Sequence, residues 1–402
     1  MKNIIFIVFI SFMACSSPGQ KKDRTKSRGM ELKPGVVYDS LKCKNDPAIG
    51  YSLYLPKEYV GSEKSSPVIF FFDAHKRGTL PLKKYKDLAD RYGVIFVGSN
   101  SSENGQQHSL SSRIVSSTIN DVKKRFNIDE MNIYTAGFSG GARVAVRAAL
   151  SGDHLISGVI GCAAGFPNVQ SLTGMNFRWV GVVGNKDFNY LELVNVNRQL
   201  KASGHDSHLL VYEGKHEWPP VEVFDKALDI LFGGKTDEFT DDPAIRRLEN
   251  EEFKERQFLA DAIQSKDLTW WNEKIRALEN SSQKAPAEAE RLMNARLLSF
   301  MSMVSFMYAN SAIKQDQREA AKKYLAIYEK VDPENPDVYF LKAEYFIQLK
   351  KPDEAMQMLK KSAGLGYANY ENLMNNSLLN QLHDNPDFKD ISKKVFNNKG
   401  KE

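Results

Sequence analysis

The chain has 402 residues, enough for roughly two domains of about 100–200 residues each. Its 42% hydrophobic and 26% charged content is that of an ordinary globular protein able to bury a sizeable core. A net charge of +5 carried by scattered Lys and Arg, with no basic stripe, implies no nucleic-acid partner.

The N-terminus has the layout of a targeting signal. Lys2 is followed by the apolar run Ile4–Ile10, too short to remain as a spanning helix. Phe12-Met13-Ala14-Cys15 resembles a bacterial lipobox, with a small residue before the cysteine; Phe12 departs from it, since a smaller aliphatic residue is usual there. The resemblance implies removal of residues 1–14, a diacylglyceryl group on Cys15, and a membrane-anchored lipoprotein facing the periplasm or cell surface. Plain secretion with cleavage nearby is the alternative. Residues 16–29 are polar, basic and free of aromatics, so 15–35 is expected to be a flexible tether. Cys43 and Cys162 show no metal spacing, and a domain of this size needs no bridge, so two free, partly buried thiols are expected.

From residue 36 to 234, apolar runs alternate with helical spacing. Val36–Tyr38 and Ile49–Leu55 suggest an opening antiparallel pair, and Val68–Phe72 a strand covered on both faces. Next come a helix over Leu82–Tyr92 stopped by Gly93, a strand at Val94–Val97 and a helix over Ile114–Phe126. A short strand ending at Ala136 precedes a helix from Ala142 to Leu150. Strands at Gly158–Gly161, Trp179–Val183 and Leu209–Tyr212 follow, with helices over Leu191–Ala202 and Val221–Phe232. This alternation predicts a mostly parallel sheet with helices on both faces, and ligands on such sheets bind beyond the C-terminal strand ends.

From 243 to 396 only helical spacing is found. Ala309, Ala321 and Leu325 recur 34 residues later as Ala343, Ala355 and Leu359. These positions resemble the packing sites of tetratricopeptide repeats, where Ala lets paired helices approach closely and Leu fills the groove between them. Two units fit, over 302–367, so the flanking helices are expected to act as caps. Such repeats present concave surfaces, and a protein partner is expected there; a plain helical bundle is the alternative.

Between the strand ending at Ala136 and the helix from Ala142 stands Gly137-Phe138-Ser139-Gly140-Gly141, a G-x-S-x-G. Small residues two positions either side of a serine suit a sharp strand-to-helix turn that projects its hydroxyl. Two further residues follow predicted strands: Asp187 after Trp179–Val183, and His216 after Leu209–Tyr212. In the order Ser139, Asp187, His216 they can meet at one sheet edge. His216 would take the serine proton, and Asp187 would fix the imidazole tautomer. Glu192 and Glu217 are weaker candidates for the acid, since neither directly ends a strand.

With these motifs, residues 36–232 resemble the α/β-hydrolase superfamily. Within it they are similar to secreted esterases related to polyhydroxybutyrate depolymerases, feruloyl and acetylxylan esterases, and to dienelactone-hydrolase-like enzymes. The resemblance implies an oxyanion hole of two N–H groups. One is from Gly140, and the other from Ala74 or His75 in the loop 73–78. Lys76 and Arg77 there depart from the His-Gly pattern of many relatives, and are either solvated charges or contacts for an acidic substrate. Phe138, Phe166, Phe188 and Trp218 flank the site and are either cleft-lining or core residues. No phosphate-binding glycine loop and no His/Cys cluster calls for a cofactor or metal. A lipid-anchored serine esterase acting on small esters or acylated carbohydrates is the leading expectation. A serine peptidase of the same fold, and a non-enzymatic interaction protein using the helical repeats, are the alternatives.

Overall fold

The computed structural model describes residues 26–27, 30–61, 64–166, 175–234 and 242–398. The expected signal, Cys15 and most of the tether lie outside these residues. Lys26–Ser27 (β1) pairs antiparallel with Met30–Glu31 (β2), and Leu32 is already buried in the core of the first domain.

That domain is built on one eight-stranded sheet. Its strands are Val37–Cys43 (β3), Asp46–Tyr54 (β4), Ser66–Phe72 (β5), Ile95–Ser99 (β6), Ile128–Phe138 (β7), Gly158–Cys162 (β8), Arg178–Gly184 (β9) and Ser207–Tyr212 (β10). The spatial order is β10-β9-β8-β7-β5-β6-β4-β3. Neighbours from β10 to β6 run parallel, while β4 is antiparallel to both β6 and β3. The β3–β4 hairpin is longer than its apolar residues suggested. Asp39, Ser40 and Lys42 face outward along the edge strand, and this polar pattern hides it in the sequence.

Alternate side chains of β5 enter different cores, as expected for a strand covered on both faces. Val68, Phe70 and Phe72 join one cluster, and Ile69 and Phe71 the other. Helices Thr79–Tyr92 (α1) and Val221–Leu231 (α5) cover the second face. His108–Arg125 (α2), Gly140–Leu150 (α3) and Tyr190–Ala202 (α4) cover the first. Helix α2 starts six residues before its expected position, because its first turn is polar and carries no apolar period. Gly93 ends α1 in the left-handed region (φ 63°), where a side chain would be strained. Cys43 and Cys162 are both buried and unbridged, and burial pushes the Cys43 thiol up to about 11. The fold is thus an eight-stranded, mostly parallel sheet with helices on both faces, followed by an all-α helical domain.

The second domain comprises Pro243–Ser265 (α6), Leu268–Lys284 (α7), Glu288–Lys314 (α8), Arg318–Val331 (α9), Pro336–Gln348 (α10), Pro352–Gly364 (α11), Tyr370–Asn375 (α12) and Pro386–Asn398 (α13). Asp242 and Asn335 cap α6 and α10 by accepting a backbone N–H, each followed by Pro at the first helical position. Ala309, Ala321, Ala343 and Ala355 are fully buried, and Leu325 and Leu359 nearly so. The repeat extends to the backbone. Asp316 and Lys350, also 34 apart, both adopt positive φ (50° and 59°) in the turns α8–α9 and α10–α11. Just beyond them the N–H of Gln317 binds the carbonyl of Ala312, and that of Lys351 binds Phe346. Helices α6 and α7 pack on one side of these hairpins, and α12–α13 on the other.

Candidate active site

Parallel strands bring the ends of β5, β7, β9 and β10 to one edge of the sheet. Ser139 sits between β7 and α3 with φ 54° and ψ −122°, a backbone state that L-residues rarely hold. Its neighbours explain why the turn needs glycine. A methyl group on Gly137 would lie 2.3 Å from the backbone of Gly141, and one on Gly141 would lie 2.0 Å from the carbonyl oxygen of Phe72. The N–H of Ser139 binds the carbonyl of Cys162 at 2.9 Å, which fixes the turn to β8.

Ser139 Oγ lies 3.0 Å from Nε2 of His216. On the other side of the ring, Nδ1 lies 3.0 Å from both oxygens of Asp187. An ionised carboxylate only accepts, so Nδ1 carries the proton and Nε2 is left to accept from the serine hydroxyl. Asp187 is fully buried. Its Oδ1 also accepts from the N–H of Asn189 at 2.7 Å, and the Asn189 side chain donates to the carbonyl of Ala163 at 2.7 Å. The imidazole is flanked by Phe188, stacked at 4.2 Å, and by Phe138 at 4.8 Å. Ser139, His216 and Asp187 therefore meet in the geometry that a Ser–His–Asp relay requires.

Neither alternative acid approaches the histidine. Glu192 is occupied by Arg143 through two bonds of 2.8 Å and by the N–H of Gly165 at 2.9 Å. Glu217 accepts from the N–H of Lys215.

In the loop after β5, the N–H of His75 is engaged by Oδ1 of Asp73 at 2.8 Å. Gly140 is the first residue of α3, so its N–H has no acceptor within the helix. Loop 73–78 is braced from the β6 side: the N–H of Lys76 binds the Ser102 carbonyl, and that of Asn104 binds the Ala74 carbonyl. Asn104 also lies against the nucleophile turn, where a methyl on Gly140 would fall 1.8 Å from its Oδ1.

Asp73 organises this region, although it belongs to none of the sequence motifs. It is fully buried, and accepts from Arg77 Nε (3.0 Å) and Nη2 (3.2 Å), His75 N–H and Trp218 Nε1 (2.8 Å). Burial alone would raise its pKa; Arg77 and these donors outweigh that and hold it below the usual carboxylate value. Trp218 is two residues beyond His216, so Asp73 ties the loop after β5 to the histidine loop. An ionisable residue directly ending a buried parallel strand was the available signal. Arg77 is held by Asp73, and Lys76 pairs with Glu103 at 2.8 Å. Phe138, Phe166 and Trp218 are core residues; Phe188 alone of the four flanking aromatics stays partly exposed beside the histidine.

Among the described residues no group of His, Cys, Asp and Glu is placed to hold a metal ion, and no helix is long and apolar enough to cross a membrane.

No protein-family profile and no curated protein matches the chain. Solved structures overlap its N-terminal half. They include a ferulic acid esterase (17% identity, 50% of this chain and 97% of that one, TM-score 0.38). A feruloyl esterase module from Clostridium thermocellum complexed with sinapinate overlaps similarly (14%, 52% and 92%, TM-score 0.41). So does a Staphylococcus aureus fluorophosphonate-binding serine hydrolase (15%, 49% and 96%, TM-score 0.39). At these identities and scores the likeness carries no conclusion about activity, which rests on the site itself.

Proposed function

We propose that the protein is a serine hydrolase that cleaves carboxylic esters through an acyl-enzyme. The observation carrying this reading is the continuous Ser139–His216–Asp187 chain, with 3.0 Å at each of its two links. Ser139 Oγ attacks the ester carbonyl carbon as His216 Nε2 takes its proton. The resulting oxyanion is received by the N–H of Gly140 and of Ala74, each such donor supporting roughly 3–4 kcal/mol of barrier lowering. Collapse expels the alcohol, which receives the proton from His216. Water, deprotonated by the same imidazole, then releases the acid and restores the serine. Asp187 balances the imidazolium in both halves. Acylated carbohydrates are the substrate class to screen first, beside short-chain esters.

The reading includes an exported chain anchored through a lipid on Cys15, with the helical domain as a tetratricopeptide-like surface for a protein partner. Leader, cysteine and polar spacer support the anchor. The 34-residue recurrence of buried alanines and left-handed turns supports the repeat.

The test is hydrolysis of p-nitrophenyl acetate together with labelling by a fluorophosphonate probe. Wild type should do both and Ser139→Ala neither. Undiminished turnover in Ser139→Ala, or no labelling of the folded wild type, would remove the proposal. Incorporation of a palmitate analogue that is lost in Cys15→Ala tests the anchor.

A further inference from the structure

One buried charged cluster belongs to both domains. Glu252 on α6 is fully buried and accepts from Arg256 Nη2 (2.5 Å) and from Nε and Nη2 of Arg296 on α8 (2.9 and 2.7 Å). Each guanidinium has a further N–H directed into the first domain. Arg296 Nη1 donates to the carbonyl of Asn185 at 3.1 Å, and Arg256 Nη1 donates to the carbonyl of Phe188 at 2.5 Å. These carbonyls bracket Asp187. A third grip follows at Tyr190: Arg296 lies 4.3 Å over its ring, and its hydroxyl meets Glu249 of α6 at 3.4 Å. Glu249 in turn pairs with Arg198 on α4 at 2.7 Å.

The first domain fixes this loop from its N–H side. Asn185 N–H binds the Tyr212 carbonyl, and Lys186 N–H binds the Gly214 carbonyl. Donors for the carbonyls of residues 185 and 188 come from the helical domain. A buried Arg–Glu–Arg group contributes little net stability, because desolvation offsets most of its attraction. What it does supply is geometry, since planar guanidinia hold two acceptors at fixed angles.

Resting on the hydrolytic reading above, we infer that Arg256 and Arg296 are positioning residues for that site. From the helical domain they set loop 185–188 so that Asp187 meets the imidazole and Phe188 stacks on it. The second domain is then part of the hydrolytic apparatus. A displacement of α6 from α4 would reduce turnover without touching Ser139 or His216.

The test uses the full chain carrying Arg256→Ala, Arg296→Ala and Arg296→Lys, with Ala343→Leu as a control that loosens the helical domain far from the loop. For p-nitrophenyl acetate, both alanine variants should lose about 10- to 100-fold in kcat, the scale of a slight misplacement of a reacting group, with KM nearly unchanged. Arg296→Lys keeps the charge but cannot reach both Glu252 and Asn185, so its kcat should fall between wild type and alanine. Ala343→Leu should melt earlier yet keep wild-type kcat when folded. If an alanine variant does not fold, the lysine variant decides by the same kcat and KM measurement. Wild-type kcat in folded Arg256→Ala or in the Arg296 variants would overturn the inference while leaving hydrolysis standing. An equal fall of kcat in Ala343→Leu would also overturn it, as loss of stability. A wild type inert to both ester and fluorophosphonate would overturn both proposals.

Discussion

Replacing Asp187 by asparagine tests the relay with almost no change in shape. Oδ1 of Asp187 accepts from the Asn189 N–H at 2.7 Å, so the amide oxygen of the variant must take that position. Its NH2 then stands where Oδ2 stood, 3.0 Å from Nδ1 of His216. At the Oδ2 position an amide donates, which favours moving the ring proton to Nε2 and depriving the Ser139 hydroxyl of its acceptor. The amide oxygen, at 3.0 Å from Nδ1, still accepts in the original tautomer and competes with that shift. The lost charge can be gauged independently. At an effective dielectric of about 20, opposite charges 3.0 Å apart attract by roughly 5–6 kcal/mol. A wrong-tautomer loss of about 10⁴ in kcat corresponds to roughly 5 kcal/mol of barrier, which sets the upper end of the expected loss because desolvation offsets part of the gross attraction. Initial rates on p-nitrophenyl acetate, with a melting curve on the same sample, provide the assay. A folded Asp187→Asn protein retaining more than a tenth of wild-type kcat would refute the assigned role of Asp187.

Three further outcomes are expected. Gly141→Ala forces a methyl group to within 2.0 Å of the Phe72 carbonyl oxygen, backbone against backbone. It should cost at least about 1–3 kcal/mol and abolish fluorophosphonate labelling; an unchanged melting temperature would contradict the packing described. Asp73→Asn should destabilise by roughly 2–3 kcal/mol at neutral pH, less than a fully buried ion pair, because the Arg77 side chain keeps 21% exposure. Its folded pKa lies below the unfolded value of about 3.9. That contribution is therefore complete above the unfolded value and is lost as pH falls through the folded one. Wild type should lose stability over that acid range more steeply than Asp73→Asn, and parallel pH–stability curves would disprove it. Ala343→Leu overfills the fully buried seam of α10 and α11 and should lower the stability of the helical domain by about 1–3 kcal/mol in denaturant titrations. Unchanged midpoints would mean that this seam is not close-packed.

The relay was legible in the sequence because each member follows an apolar run short enough to be a buried strand. Gly137 and Gly141 mark the turn by steric necessity, which a local pattern can express. The loop after β5 was less legible. The partners of Asp73 include Trp218, 145 residues away, so its place at the end of a buried strand marks it without revealing what it holds. The hold of Arg296 on the Asn185 carbonyl spans 111 residues and leaves no periodic trace. The helical repeat was visible where packing demands small side chains, at Ala309 and Ala343. Its left-handed turns at Asp316 and Lys350 were not, since neither residue is the glycine that such a turn favours.

The backbone state of Ser139 has a consequence for how the hydroxyl is delivered. Close backbone approaches at Gly137 and Gly141 and the bond to the carbonyl of Cys162 hold the residue in that state. Its reactive oxygen is therefore already aimed outward in the empty protein, and no part of the binding energy of an incoming molecule is consumed in turning it. Rebuilding the surrounding loops for a different acyl group would leave that delivery intact, so long as the elbow itself is untouched.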